Sequence, residues 1–132
     1  MADEQPVVLE IENLVVNYGV ITALHGISLK IRQGQIVTLI GANGAGKTTT
    51  LRTISGLLRP KAGSIRYRGA DITRCAPHRV VKHGLAQVPE GRMVFANLTV
   101  RENLQLGAFL RRDRAGINDD FDFVFSMFPR LT

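Results

Sequence analysis

Two early stretches of the chain alternate apolar and polar side chains. Their apolar members are Val7, Leu9 and Ile11 in the first stretch and Ile27, Leu29 and Ile31 in the second. A period of two is typical of strands with one buried face, so the pattern predicts two antiparallel strands. Tyr18-Gly19 is predicted to lie in the turn region between them.

The alternation then gives way to an almost continuous apolar run, QIVTLI, at residues 35–40. Such a run predicts a strand that is buried on both faces, as in a parallel sheet. A glycine-rich loop follows it directly. Leu51, Ile54 and Leu58 recur at helical spacing, which predicts a helix that begins inside the loop and ends near Gly56 to Pro60.

The middle of the chain predicts three shorter elements. Ser64–Tyr67 is predicted to form a short strand. A small helix is predicted between Pro77 near its start and Gly84 near its end. Leu85–Val88 predicts one more strand, which Pro89 ends.

The last part of the chain has a helical pattern. Thr99 and Glu102 have the spacing of a capping box and predict a helix to about Arg112. Asn118 is predicted to cap a final helix that ends at Pro129. The apolar stripe of that helix consists of Phe121, Val124, Phe125 and Phe128. Such stripes are typical of a core or a subunit contact rather than of a cofactor site.

The chain is accordingly divided into an α/β lobe at residues 1–98 and the beginning of a helical subdomain at residues 99–132. With 132 residues and 45% apolar composition, it is long enough for one domain with a single core. Its apolar runs are far shorter than the ~20 residues that cross a bilayer. Met1–Glu4 is acidic where a signal peptide is basic. We therefore expect a soluble, cytosolic protein.

Net charge and cysteine content change this picture little. A formal charge of +6 would suit nucleic-acid binding, but the basic residues between Arg52 and Arg114 form no continuous patch and no interleaved aromatics accompany them. This favours a solvated surface together with phosphate binding, and we expect no nucleic-acid partner. Cys75, the single cysteine, cannot form an internal disulfide and is interpreted as structural.

The glycine-rich loop carries the most specific chemistry. GANGAGKT at residues 41–48 matches G-x-x-x-x-G-K-[ST] between a predicted strand and a predicted helix. Glycines let the backbone wrap closely, so N–H groups from about Gly44 to Thr49 can point at phosphate oxygens. Lys47 would reach the β- and γ-phosphates, and the Thr48 hydroxyl would ligate Mg²⁺. The alternative is a glycine-rich turn that merely ends in Lys-Thr, which the flanking elements disfavour.

A phosphate-binding loop identifies a ligand class but no biological role. The antiparallel strands that precede the loop carry Tyr18. Its ring could stack on a purine base, because every base offers a π-face. A plain tyrosine at the end of a strand is the alternative, and the local sequence leaves both open.

Four stretches together resemble one family. They are NYG at residues 17–19, GANGAGKTTTLRTISGL at 41–57, GSIRYRGADIT at 63–73 and VPEGRMVFANLTVRENL at 88–104. The chain resembles the ATP-binding subunits of ABC transporters, in particular the smaller ATPase subunit of bacterial branched-chain amino acid importers. The resemblance implies an α/β P-loop NTPase core of the ABC ATPase type, with an N-terminal antiparallel β region and the start of a helical subdomain, incomplete.

The resemblance also implies individual roles. Tyr18 would stack on adenine, and Thr49 would lie beside the α-phosphate. The family's glutamine after the Val-Pro pair is replaced by Glu90. We hypothesise that Glu90 is a magnesium-side sensor, and the alternative is an ordinary exposed turn. The nucleotide-binding residues so predicted are Tyr18, Gly41, Ala42, Asn43, Gly44, Ala45, Gly46, Lys47, Thr48 and Thr49, and the predicted metal residues are Thr48 and Glu90.

The implied cofactors are ATP and Mg²⁺. The implied partners are transmembrane permease subunits, a second ATP-binding subunit and, indirectly, a periplasmic or extracellular solute-binding protein. The protein would be peripheral on the inner face of the cytoplasmic membrane.

Several catalytic parts of the family have no match in this sequence. They are the Ser-Gly-Gly signature, the Walker B aspartate, the glutamate that activates water and the switch histidine. Phosphoryl transfer depends on positioning water and metal, so we expect this chain to bind ATP–Mg²⁺ better than it hydrolyses it. An ATPase subunit and a truncated nucleotide-binding fragment without turnover both remain open.

Overall fold

The computed structural model describes residues 5–42, 44–91 and 93–132. The chain divides into two compact units, Met1–Gln87 and Val88–Thr132. The first unit therefore ends at Gln87, whereas the predicted boundary lies after residue 98. The assignment of domains remains a prediction.

The first unit is built on a four-stranded antiparallel sheet. Its strands are β1 (Val7–Tyr18), β2 (Ile21–Arg32), β3 (Ala62–Tyr67) and β4 (Ala70–Asp71), in the spatial order β2-β1-β3-β4. The predicted hairpin and the predicted strand at residues 64–67 are therefore confirmed. β1 pairs with both β2 and β3, so it is the central scaffold of the unit.

A bulge in β1 keeps its apolar side chains on one face. A strict period of two would send Leu14 to the face opposite Ile11. Instead, the register shifts between these residues, and Asn13 adopts a φ of 49°. Gly63 of β3 lies so close to this bulge that a side chain there would collide with the Asn13 carbonyl oxygen. The buried apolar cluster that results contains Leu9, Ile11, Leu14, Val16, Leu24, Ile65 and Ile72.

Two predicted strands are wrong. Residues 35–40 and 85–88 have no strand structure, and the side chains of Ile36 and Ile40 are 97% and 93% exposed. A strand that is buried on both faces needs neighbouring strands for its backbone groups and covering elements for its side chains. No strand of the described residues pairs with either segment.

Two helices complete the first unit. They are α1 (Lys47–Ile54) and α2 (Pro77–Lys82), and both were predicted. α1 ends in a Schellman motif, in which the Leu57 N–H donates to the Arg52 carbonyl at 2.9 Å and the Gly56 N–H donates to the Thr53 carbonyl at 3.1 Å.

The second unit contains α3 (Val100–Gly107), α4 (Arg114–Met127) and a short 3₁₀ turn at Pro129–Leu131. The predicted capping box is confirmed, since the Glu102 N–H donates to Thr99 Oγ1 at 3.1 Å and the Thr99 N–H donates to Glu102 Oε2 at 2.8 Å. No helix among the described residues has the length and apolar character needed to span a membrane.

The predicted ends of these helices need correction. α3 ends at Gly107 rather than near Arg112, and Asn118 lies inside α4 instead of capping it. The guanidinium of Arg111 explains the difference, because it pairs with Asp113 at 2.6 Å and also with Asp120. The hydrogen bonds from Arg111 to Asp113 lower the pKa of the Asp113 carboxyl group. Together, the two ion pairs tie the segment between the helices to the first half of α4.

The phenylalanine stripe of α4 is only partly core. Phe121 is buried and stacks on Phe125 with ring centroids 5.9 Å apart. The guanidinium of Arg101 lies 4.5 Å from the centroid of the Phe121 ring, which is a cation–π distance. Phe128, at the end of the stripe, is exposed.

We expect Leu14→Ala to lower the free energy of unfolding by about 2–5 kcal/mol, because Leu14 is 0% exposed and its removal leaves a cavity. Val20→Ala is the control, since Val20 is 99% exposed at the turn of the same hairpin. It should cost less than about 0.5 kcal/mol. Urea unfolding followed by circular dichroism measures both, and equal losses would contradict the proposed core.

Candidate functional site

The glycine-rich loop leads directly into α1. Gly46 is the N-cap residue, and Lys47 and Thr48 are the first two residues of the helix. The prediction that the helix begins inside the loop is therefore confirmed. The Ala45 N–H donates to the Ala42 carbonyl at 3.1 Å, which forms a turn within the loop. Asn43, also predicted to bind nucleotide, lies outside the described residues.

Backbone geometry explains why two loop positions are glycine. Gly44 and Gly46 have φ values of 86° and 98°, in the left-handed region that other residues avoid. Gly46 also packs against β2, where a Cβ atom would lie 2.6 Å from Cδ2 of Leu24. Leu24 is buried in the sheet core. This close approach fixes the end of the loop on the sheet.

The start of α1 is electrostatically suited to an anion. No side chain of the described residues caps the helix, and no acidic residue lies in its first turn. The uncapped N–H groups and the helix dipole therefore favour negative charge. The half-buried Lys47 adds a full positive charge, and its ammonium group donates a hydrogen bond to the Gly41 carbonyl across the loop. The exposed Thr48 hydroxyl bonds to no other described residue.

Threonines occupy the fully buried positions of α1, while Ile54 and, just beyond the helix, Leu58 are partly buried against the sheet core. Thr49, Thr50 and Thr53 are buried, whereas Leu51 is largely exposed. The Thr50 hydroxyl donates to the Gly46 carbonyl at 2.8 Å, and the Thr53 hydroxyl donates to the Thr49 carbonyl at 2.7 Å. These bonds satisfy the hydroxyls of Thr50 and Thr53. Sequence reasoning missed this face, although the spacing of Thr49 and Thr53 over one helical turn is its signal.

Tyr18 is brought to the same place by the sheet. It ends β1, and its hydroxyl oxygen lies 3.4 Å from Oγ1 of Thr49 in the first turn of α1. Its side chain is 44% exposed, so part of the ring is accessible beside the loop. The structure thus places Tyr18 beside the start of α1, and its base-stacking role remains a prediction.

Glu90 belongs to the second compact unit, where its side chain is exposed. Its proximity to the loop therefore remains a prediction. Gln87, to which no role is assigned, lies in the first unit. Its Oε1 accepts a hydrogen bond of 2.5 Å from the Ser55 hydroxyl at the end of α1.

Comparisons with known proteins bear on this loop and its scaffold. Residues 24–130 match the family model described as ABC transporter. The high-affinity branched-chain amino acid transport ATP-binding protein BraG of Pseudomonas aeruginosa is 44% identical over 93% of this chain and 52% of its own length. The sulfate/thiosulfate import ATP-binding protein CysA 2 of Chromobacterium violaceum is 46% identical over 82% of this chain and 29% of its own length.

The fold has counterparts among solved structures. A nucleotide-free ATP-binding cassette from an ABC transporter superposes with a TM-score of 0.77 and 25% identity, over 96% of this chain and 56% of that one. The predicted fold class is therefore confirmed. The chain spans about half the length of BraG and of this cassette, and less of the sulfate relative.

Gly46→Ala should destabilise the protein more than Gly44→Ala. Both changes place alanine at positive φ, which costs about 1–2 kcal/mol. Only at Gly46 would the new Cβ collide with Leu24, whereas Gly44 has open space around it. Overpacking adds about 1–3 kcal/mol. Urea unfolding of the two variants measures the difference, and equal losses would show that the Gly46–Leu24 approach does not fix the loop.

Proposed function

Since the chain belongs to the ABC transporter family, we propose that it binds ATP as the energy-coupling part of an ABC importer. One observation carries this proposal. The loop at residues 41–48 presents an uncapped helix start and the charge of Lys47 on a backbone that favours glycine at Gly44 and Gly46. This is the arrangement that a chain of phosphates requires.

The residues present fit the phosphates of ATP. The Lys47 ammonium group already points back over the loop to the Gly41 carbonyl. An ammonium group has three donors, so Lys47 can keep this bond while it donates to phosphate oxygens. Bonds to a charged phosphate are stronger than the bond to a neutral carbonyl. We therefore expect Lys47 to stay over the loop when phosphates bind.

The adenine base fits beside the same loop. Tyr18 has an accessible ring, and its hydroxyl contacts Thr49 in the first turn of α1. That contact restrains the ring next to the helix start where the phosphates would bind. Tyr18 would thus supply a stacking surface with little loss of side-chain freedom.

The residues also fit Mg²⁺. Thr48 offers an exposed hydroxyl oxygen at the second position of α1, and Mg²⁺ prefers oxygen ligands while retaining several waters. When bound, the ion would neutralise charge on the β- and γ-phosphates. Glu90, an exposed carboxylate of the second unit, is the proposed magnesium-side sensor.

Branched-chain amino acids are the proposed solute, because BraG matches nearly the whole chain. The sulfate/thiosulfate relative is as similar over the part it shares, so identity in this region alone does not determine the solute. The proposed partners are permease subunits, a second ATP-binding subunit and, indirectly, a solute-binding protein. The protein would then act on the inner face of the cytoplasmic membrane.

Lys47→Ala tests the nucleotide site. Loss of a charged hydrogen-bond donor should weaken ATP–Mg²⁺ binding by about ten- to hundredfold. Lys61→Ala is the control, because Lys61 is an exposed lysine of the same unit outside the loop. Isothermal titration calorimetry measures affinity, and phosphate release measured separately distinguishes binding from turnover. Unchanged affinity in Lys47→Ala would overturn the proposal.

Glu90→Ala tests the magnesium sensor. If the carboxylate helps to hold Mg²⁺, its removal should raise the Mg²⁺ concentration for half-maximal ATP binding in the full-length protein by about fivefold, equivalent to about 1 kcal/mol. Asp122→Ala removes a carboxylate from an exposed position of the same unit and should change nothing. If neither the magnesium dependence nor coupling to transport responds to Glu90→Ala, the residue is an ordinary turn residue.

A further inference from the structure

The first unit contains a second cationic site, apart from the glycine-rich loop. An open cavity of about 620 Å³ is lined by Arg59, Arg74 and Arg79. Its volume is within the range of small-molecule sites. None of the described residues of the loop lines it. We refer to it as the arginine cavity.

The three arginines come from three separate segments. Arg59 follows the turn that ends α1, Arg74 lies between β4 and α2, and Arg79 lies in α2. None of the three forms a salt bridge with a carboxylate among the described residues. No ion pair with a described carboxylate therefore neutralises the positive charges that these three arginines bring to the cavity.

Asp71 is the acidic side chain that lines the arginine cavity, and it is already engaged. It accepts hydrogen bonds from both the N–H and the hydroxyl of Thr73. These bonds, with a smaller contribution from Arg66, lower the pKa of Asp71. Asp71 therefore stays ionised, but its single negative charge does not balance the three guanidinium groups. The lining carries a net charge of +2, from three arginines and one aspartate.

The backbone beneath the arginines is well fixed. The Ile65 N–H donates to Thr73 Oγ1 at 2.9 Å, and the Ile72 N–H donates to the Ile65 carbonyl at 2.9 Å. Ile72 and Val80 are each 1% exposed, and they anchor the segments before Arg74 and around Arg79. A fixed backbone reduces the entropy that the site loses when a ligand binds.

We infer that the arginine cavity binds an anion that carries two or more phosphate or carboxylate groups. Guanidinium groups bind such groups through paired N–H donors, and several arginines can share one multivalent anion. The anion is either a free small molecule or the headgroup of an anionic lipid. This site is separate from the proposed ATP site and does not depend on it.

Pyrophosphate and citrate are the probes, titrated calorimetrically into the full-length chain with Lys47→Ala. This substitution weakens phosphate binding at the loop, so the remaining affinity should belong to the arginine cavity. Arg79→Gln should weaken that affinity by about tenfold or more, the effect of one lost charged hydrogen-bond pair. Lys82→Gln is the matched control, because it removes the same charge from α2 outside the cavity. It should change the affinity less than twofold.

Cys75 reports on the same site. It is the single cysteine of the chain and lines the arginine cavity. Bound pyrophosphate should slow its alkylation by iodoacetamide, and Arg79→Gln should abolish this protection. Sedimentation with phosphatidylcholine vesicles, with and without cardiolipin, whose headgroup carries two phosphates, identifies the source. Arg79-dependent binding to the acidic vesicles alone assigns the site to a lipid headgroup.

Three results would overturn the inference. They are the absence of binding to both the soluble anions and the acidic vesicles, equal weakening by Arg79→Gln and Lys82→Gln, and loss of all anion binding in Lys47→Ala alone. The second result would show that the anion binds to general surface charge. The third would show that it binds at the glycine-rich loop. Failure of the ATP proposal would instead appear as unchanged ATP affinity in Lys47→Ala.

Discussion

The close approach of Gly46 to Leu24 determines where the glycine-rich loop and the start of α1 lie on the sheet. At this contact the loop meets the sheet, and α1 starts from it in a fixed direction. Thr50 and Thr53 of α1 can face inward because their hydroxyls donate to carbonyls one turn earlier. A helix with a polar buried face is thereby held against a sheet with an apolar core. The positions of Lys47 and of the Tyr18–Thr49 contact follow from that seating.

Local patterns predicted what depends on local physics. The hairpin follows from alternation, the capping box from the spacing of Thr99 and Glu102, and the start of α1 from the loop motif itself. The run at residues 35–40 was misjudged because an apolar sequence becomes a buried strand only where other strands pair with it. Asn118 was misjudged because the pairing of Arg111 with two aspartates, which periodicity does not reveal, ties the segment before α4.

The candidate site was predicted to a similar extent. The phosphate loop was evident because its glycines and its lysine occur in one short motif. The grouping of Tyr18 with Thr49 needed the structure, since it depends on the end of β1 lying beside the first turn of α1. The role of Glu90 remains a prediction, because Glu90 lies in the second unit and the loop lies in the first. The arginine cavity had no signal in the sequence, where its three arginines look like scattered surface charge.

The bulge at Asn13 also constrains how this sequence can change over time. Gly63 must remain small because the bulge occupies the space above it, and the bulge must remain because it keeps Leu14 and Val16 in the core. Removing the bulge would make room at position 63 but would turn both side chains to the opposite face. A substitution that changes only the bulge or only Gly63 is therefore destabilising. We expect these two features to change together or not at all during evolution.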